Sequence, residues 1–207
     1  PGVGGQLVRL DTAGGPVDDV LLPLFGAHMA RNAALAVAAV EAFLGGKPLA
    51  PDIITEALGQ VQAPARLEVV RRSPTVVLDT CHNPHGARAT IDALTEAFTF
   101  APLIGVVAMM ADKDVDGLLS IFAEEMTTIV CTTVAGTSRA LSPEALAERA
   151  SGIFGEDRVR VASGLSDAIE AAVALADEAG PGAGVLVAGS VIAAGQARAL
   201  LVREERR

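Results

Sequence analysis

The sequence predicts an α/β fold: a mainly parallel sheet with helices on both faces, preceded by a small strand/helix segment. Three observations predict it. From Pro64 onward short apolar runs alternate with stretches of helical periodicity. The longer of these runs, such as VVL, LIGVVAM and GVLVA, are continuously apolar and do not alternate in polarity, as in strands buried on both faces. Each run also ends in a polar knot, which is where an open α/β sheet holds its ligands.

The elements follow in order. LVRLDT and VDDVLLPLFG read as two extended segments around the turn AGGP, with the Gly-rich PGVGG leading in. GAHMARNAALAVAAVEAFLGG is an Ala-rich helix stopped by Gly45 and Gly46, and PDIITEALGQV a shorter one with Pro at its first turn. QAPAR is the seam, dividing residues 1–62 from residues 63–207. Beyond it the strand candidates are Leu67 to Val70, Thr75 to Leu78, Leu103 to Met109, Thr128 to Thr132, Arg158 to Val161 and Gly184 to Ala188. Helix candidates run from His85 to Phe98, Val115 to Glu125, Pro143 to Gly152 and Leu165 to Ala179, with a last one beginning near Ile192. The terminal REERR is a solvated charge run.

Composition narrows the function. The 207 residues are 51% hydrophobic, enough for a substantial core. A formal net charge of −9 argues against a nucleic-acid partner, because such binders need a basic face to displace counterions. The longest apolar runs, LIGVVAMMA and GVLVAGSVIAAG, fall short of the roughly 18 residues of a bilayer span. No basic leader opens the chain and its two cysteines suggest no disulfide framework, so a cytoplasmic location is expected. The absence of an initiator Met suggests a fragment.

The strand ends to inspect are DTCHNP after Leu78, MMADKD after Val107, TTVAGTSR after Val130 and GS after Ala188. Asn83-Pro84 and Asp112 also serve as ordinary turn and cap chemistry. Asp79 and His82 invite a stronger reading: an acid at a strand tip accepts from ribose hydroxyls, and an imidazole three residues on sits beside a phosphate or carboxylate. A zinc site from Cys81, His82 and His85 fails on ligand count, since only Cys131 and His28 remain. A Cys81 nucleophile with His82 as base is disfavoured because neighbours on an extended segment point to opposite sides.

LPLFGAHMARNAALA, PARLEVV, VVLDTCHNPHG, MMADKD and VAGSVIAAG, in this order and spacing across essentially the whole chain, resemble the closing portion of the folylpolyglutamate synthases of the Mur ligase superfamily, of actinobacterial type. The resemblance implies that residues 1–62 are the tail of a central P-loop ATPase domain. It implies that residues 63–207 are a Rossmann-like C-terminal, glutamate-ligating domain. It also implies the reaction, an ATP-dependent joining of L-glutamate to a folate (or dihydropteroate) through an acyl phosphate. ATP and Mg are the implied cofactors, with the Mg ligands expected in the missing N-terminal ATPase part.

Position by position, the resemblance assigns Asn32 to the ATP base, Arg66 to the ATP phosphates and Asp79 to the ribose. His82 falls near the nucleotide and the reacting centre, as the catalytic candidate that also borders the glutamate, and Ser190 holds the incoming glutamate. Blander readings stand beside these: Asn32 as a polar position on a half-exposed helix, Ser190 as a helix cap, and Lys113 as a surface pair with its acidic neighbours. Two departures are noted. PAR stands for P-G-R, which removes a glycine's freedom before Arg66, and Thr80 and Cys81 stand where small residues are usual. No G-x-x-G-K-[ST] loop occurs, so nothing in the chain cradles ATP phosphates in the P-loop manner, and the chain alone is expected to be inactive. The alternatives are a ligase adding an amino acid to a cell-wall precursor, disfavoured by the missing D-N-P-R-like signature, and a free-standing nucleotide-binding or interaction module.

Overall fold

A computed structural model describes residues 4–204; the opening PGV and the last three residues of the REERR run lie outside it. Two units are distinguished, one reaching to Pro64 and including Asp92–Phe98, the other formed by Ala65–Ile91 and the residues from Thr99 onward.

In the first unit, β1 (Gln6–Thr12) and β2 (Gly15–Leu22) form an antiparallel hairpin across the AGG turn. β2 buries Val17, Val20 and Leu22 and leaves Asp18, Asp19 and Leu21 exposed; a bulge between Val17 and Val20, with Asp19 at φ 55°, breaks the alternation and keeps both valines on the buried face. The buried set packs on Met29, Ala33 and Val37 of α1 (Ala27–Phe43) and on Ile54 and Leu58 of α2 (Pro51–Gly59). Spacings of four along α1 put those residues on one stripe. Glu41, buried on the same helix, accepts from the backbone N–H of Leu49 at 3.0 Å and fastens the loop that follows the Gly pair.

The second unit is a six-stranded sheet in the order β3-β4-β8-β5-β6-β7. Its strands are β3 (Arg66–Arg72), β4 (Thr75–Asp79), β5 (Leu103–Val107), β6 (Met126–Cys131), β7 (Val159–Val161) and β8 (Gly184–Ala188). All neighbours are parallel except β3, an antiparallel edge strand hairpinned to β4. The central strands are buried at every position, which is why VVL, LIGVV and GVLVA carry no polar residue. Burying each such Val or Leu is worth about 1.5–3 kcal/mol.

α3 (Pro84–Ala97), α4 (Val115–Glu125) and α5 (Pro143–Phe154) connect β4, β5, β6 and β7 in turn. The chain then returns through α6 (Leu165–Ala179) to insert β8 between β4 and β5. This reversal puts α6 and α7 (Val191–Glu204) on one face of the sheet, against Val76, Leu78, Ile104, Val106, Val185 and Val187. The helix starts are set by local chemistry. Asp114 caps α4 by accepting from Gly117 N–H at 3.0 Å, Ser142 caps α5 ahead of Pro143, and Asn83 Oδ1 accepts from Gly86 N–H at 2.8 Å ahead of Pro84.

The predicted α/β class is what the structure shows, and differences lie at element ends. β5 stops at Val107, short of the expected Met109: Ala108 N–H still bonds to Ala188 O of β8, but Met109 O accepts from Leu141 N–H at 2.9 Å, on another segment. β3 contains a bulge: Arg66 pairs with Asp79 while Glu68 pairs with Leu78, so two residues of β3 oppose one of β4.

Candidate functional site

The carboxyl ends of the parallel strands form one continuous rim, because their backbones stay hydrogen-bonded after the strands end. Gly189 N–H donates to Cys81 O at 3.0 Å, joining the loop after β8 to the DTCHNP loop, and Thr132 N–H donates to Val107 O at 3.0 Å. At Gly189, φ is 97° and an added Cβ would lie 2.8 Å from Ala108 O, so glycine lets the loop after β8 lie this close to the loop after β5.

Arg66, Asp79, His82 and Ser190 are brought together at one end of this rim. Arg66 sits opposite Asp79 in the β3–β4 register; its side chain is exposed, and its guanidinium has no hydrogen-bond or ion-pair partner among the described residues. Asp79 is the reverse, only 3% exposed. Its Oδ1 accepts from Cys81 N–H at 2.7 Å and Thr90 Oγ1 at 2.9 Å, and its Oδ2 accepts from Leu67 N–H at 3.1 Å. A carboxylate has about four acceptor positions, and these three donors occupy three of them. Asp79 therefore first of all ties β3, the loop and α3 together.

His82 is half-buried, with Nδ1 3.0 Å from Thr80 O. A carbonyl can only accept, so Nδ1 carries a proton, and Nε2 has no hydrogen-bond partner among the described residues. Cys81 faces the interior, and burial first, then the Asp79 charge, pushes its thiol far above the usual range. Such a thiol is inert as a nucleophile at neutral pH. Cys131, also fully buried, is pushed up to about 12 by burial.

Ser190 caps α7: its carbonyl takes Ala194 N–H at 3.0 Å, and its Oγ accepts from Ile192 N–H at 3.1 Å. The hydroxyl proton is uncommitted, and the positive end of the α7 dipole adds to it. Asn32 belongs to the first unit, exposed on α1.

The other two strand-end loops hold each other. MMADKD and TTVAGTSRA meet through a Met110–Ala140 bridge, Ala111 N–H to Arg139 O at 2.8 Å, and a two-pronged Arg139–Asp112 contact at 2.9 and 2.8 Å. The Arg139 hydrogen bonds hold the Asp112 carboxyl below its usual value. Lys113 Nζ lies 3.6 Å from Asp112. Among the described residues no three His, Cys, Asp or Glu side chains gather as a metal site, and no helix is long and apolar enough to cross a membrane.

Sequence reasoning missed Glu68, Thr90 and Arg198, which fix the backbone around the site. Glu68 accepts from Ala65 N–H at 2.7 Å and is gripped by Arg198 Nε at 3.0 and 2.9 Å. The Arg-x-Glu of PARLEVV was the available signal, but regular strand alternation would have read it as a same-face surface pair.

Residues 65–191 match a family profile described as "Mur ligase, glutamate ligase domain". The chain is 42% identical to the dihydrofolate synthase/folylpolyglutamate synthase of Mycobacterium tuberculosis over 98% of its own length and 44% of that protein's. A structure of M. tuberculosis folylpolyglutamate synthase complexed with ADP and AMPPCP superposes with a TM-score of 0.92 at 45% identity, covering 97% of this chain and 46% of the other. Escherichia coli FolC in complex with DHPP and ADP superposes with a TM-score of 0.79 at 25% identity, covering 100% of this chain and 47% of the other. The chain thus spans less than half the length of each of these proteins.

Proposed function

Because the chain belongs to the Mur ligase family, through a glutamate ligase domain at residues 65–191, we propose that it is the C-terminal part of an ATP-dependent folylpolyglutamate synthase working in the cytoplasm. A dihydrofolate synthase activity belongs to the same proposal, as the mycobacterial relative bears both names. Residues 1–62 are then the tail of the ATPase domain and residues 63–207 the glutamate-ligating domain.

The overall reaction has two steps. A carboxylate oxygen of the folate attacks the γ-phosphorus of ATP, giving an acyl phosphate and ADP. The amine of L-glutamate then attacks the acyl carbon, phosphate leaves, and the amine loses its proton. This chain positions groups and supplies no covalent nucleophile. The Arg66 fork pairs with nucleotide phosphate oxygens, and Asn32 reads the base. Asp79 offers its remaining acceptor position to a ribose hydroxyl. His82 Nε2 stands where it can take the amine proton, and Ser190 with the first turn of α7 receives a glutamate carboxylate. Magnesium is implied as well, but no described side-chain set of this chain fits it, so no step here is routed through it.

The observation that carries the reading is the gathering of an unpaired guanidinium, an imidazole with a free nitrogen and a capped helix N-terminus at one strand-end rim. The test is ATP-dependent incorporation of glutamate into folate by the isolated chain and by a longer protein in which a P-loop domain precedes it. Only the longer protein is expected to turn over. Turnover by the isolated chain would refute the incomplete-site reading, and none by the longer protein would refute the ligase.

A further inference from the structure

Arg66 stands between two non-glycine residues whose backbones are left-handed, Ala65 at φ 55° and Leu67 at φ 47°. For an L-residue this region crowds Cβ against the following carbonyl, and neither side chain can compensate with a local hydrogen bond as Asn or Asp does. Two such residues within three positions persist only when their surroundings hold them.

The surroundings do so with two carboxylates. Ala65 N–H donates to Glu68 Oε2 at 2.7 Å, and Leu67 N–H to Asp79 Oδ2 at 3.1 Å. Each carboxylate is itself fixed: Glu68 by Arg198 of α7, Asp79 by Cys81 N–H and Thr90. Ala65 and Leu67 point inward, 4% and 2% exposed, while the side chain between them points out. The β3 bulge falls on the same residues and breaks the pleat there.

We infer that Glu68, seated on Arg198, is a positioning residue for Arg66. With Asp79 it holds the backbone from both sides, so that the guanidinium is presented to an anionic ligand from one fixed base. A fixed base reduces the freedom Arg66 must lose on binding, and a small misplacement of a phosphate-binding group carries a large kinetic cost. This inference rests on the reading of Arg66 as the nucleotide-phosphate contact. The plainer alternative is that Glu68–Arg198 only ties β3 to α7.

The two differ in what a glycine at position 65 does. In the longer ligase, Glu68→Ala is expected to lower kcat/KM for ATP by about tenfold or more. Glu68→Gln keeps an acceptor for Ala65 N–H and is expected to retain most of it. Adding Ala65→Gly to Glu68→Ala is expected to recover part of the loss, because glycine reaches the left-handed region unaided. A plain tie between β3 and α7 predicts no such recovery. Unchanged kcat/KM in Glu68→Ala, or an equal loss with and without Ala65→Gly, would overturn the inference. Thermal melts identify a variant that fails to fold, in which case Glu68→Gln and Arg198→Met carry the comparison.

Should the wild-type longer protein show no ATP-dependent ligation, the ligase reading fails by itself, and amide hydrogen exchange on the present chain then decides the clamp. Slow exchange at Ala65 that quickens at least about tenfold in Glu68→Ala supports it; fast exchange at Ala65 in the wild type overturns it.

Discussion

Thr90 donates its hydroxyl to Oδ1 of Asp79 at 2.9 Å, with both residues 3% exposed. A buried carboxylate is tolerable only while its lone pairs are used, and Thr90 is the one side chain among its three donors. Thr90→Val keeps the shape and removes the donor. It is expected to destabilise the fold by roughly 1.5–3 kcal/mol, the range for a hydrogen bond to a charged group, read as a lower urea midpoint with unchanged slope.

Ala65 at φ 55° stores steric strain of roughly 1–2 kcal/mol. Ala65→Gly removes that strain but loosens the unfolded chain, at a cost of about 0.5–1 kcal/mol. The net expectation is an unchanged or slightly higher denaturation midpoint. Ala65→Val, β-branched in the same region, should lower it clearly.

Arg66→Ala in the longer ligase should reduce kcat/KM for ATP by about ten- to a hundredfold, the equivalent of one or two charge-assisted hydrogen bonds, with the melting temperature unchanged. Arg66→Lys should not restore it, since a lysine lacks the planar fork. Wild-type kinetics in Arg66→Ala would remove this residue from the site.

Alkaline stability should follow the two buried thiols. Their folded-state values are raised, Cys131 to about 12 and Cys81 beyond, mainly by burial. The unfolded chain ionises first, from about pH 8.5, so the stabilisation is complete below that and is lost as pH rises toward the folded values. The slope is at most about 1.4 kcal/mol per pH unit for each thiol. The chain has no tyrosine to obscure it. Replacing both cysteines with alanine should flatten the decline of the urea midpoint between pH 9 and 11, and neither native thiol should react with a maleimide at neutral pH.

On the acid side, Asp112, Asp116 and Glu124 lie below their usual values because Arg139, Arg149 and Arg88 hydrogen-bond to them. Depressed values stabilise above the unfolded pKa of about 4, and that gain is lost as pH falls through the folded values. All three pairs are exposed, so salt screens them. The drop in midpoint between pH 5 and 3 should be smaller in 1 M NaCl than at low salt.

Much of the fold was legible because its signals are local. VVLD, LIGVV and GVLVA could be assigned from apolar continuity, and α4, α6 and β8 keep their expected bounds. The ends of β5 and β3 were not legible, since Met109 and Arg66 answer to partners on other segments, Leu141 and Asp79. At the site, the DTCHNPHG stretch named Asp79 and His82, but no local pattern showed that Asp79 is buried under three donors while Arg66 stands free.

The sequence by itself determined the layered α/β class, the strand ends that matter and the residue types that meet there, because periodicity, caps and turn chemistry act over a few residues. Only the tertiary structure decided which charges are spent inside and which are offered outward. Asp79 collects donors from Leu67, Cys81 and Thr90, and Glu68 finds Arg198 130 positions away. A carboxylate's partners are chosen by proximity in space, and the return of the chain that sets α7 against β3 and β4 creates that proximity.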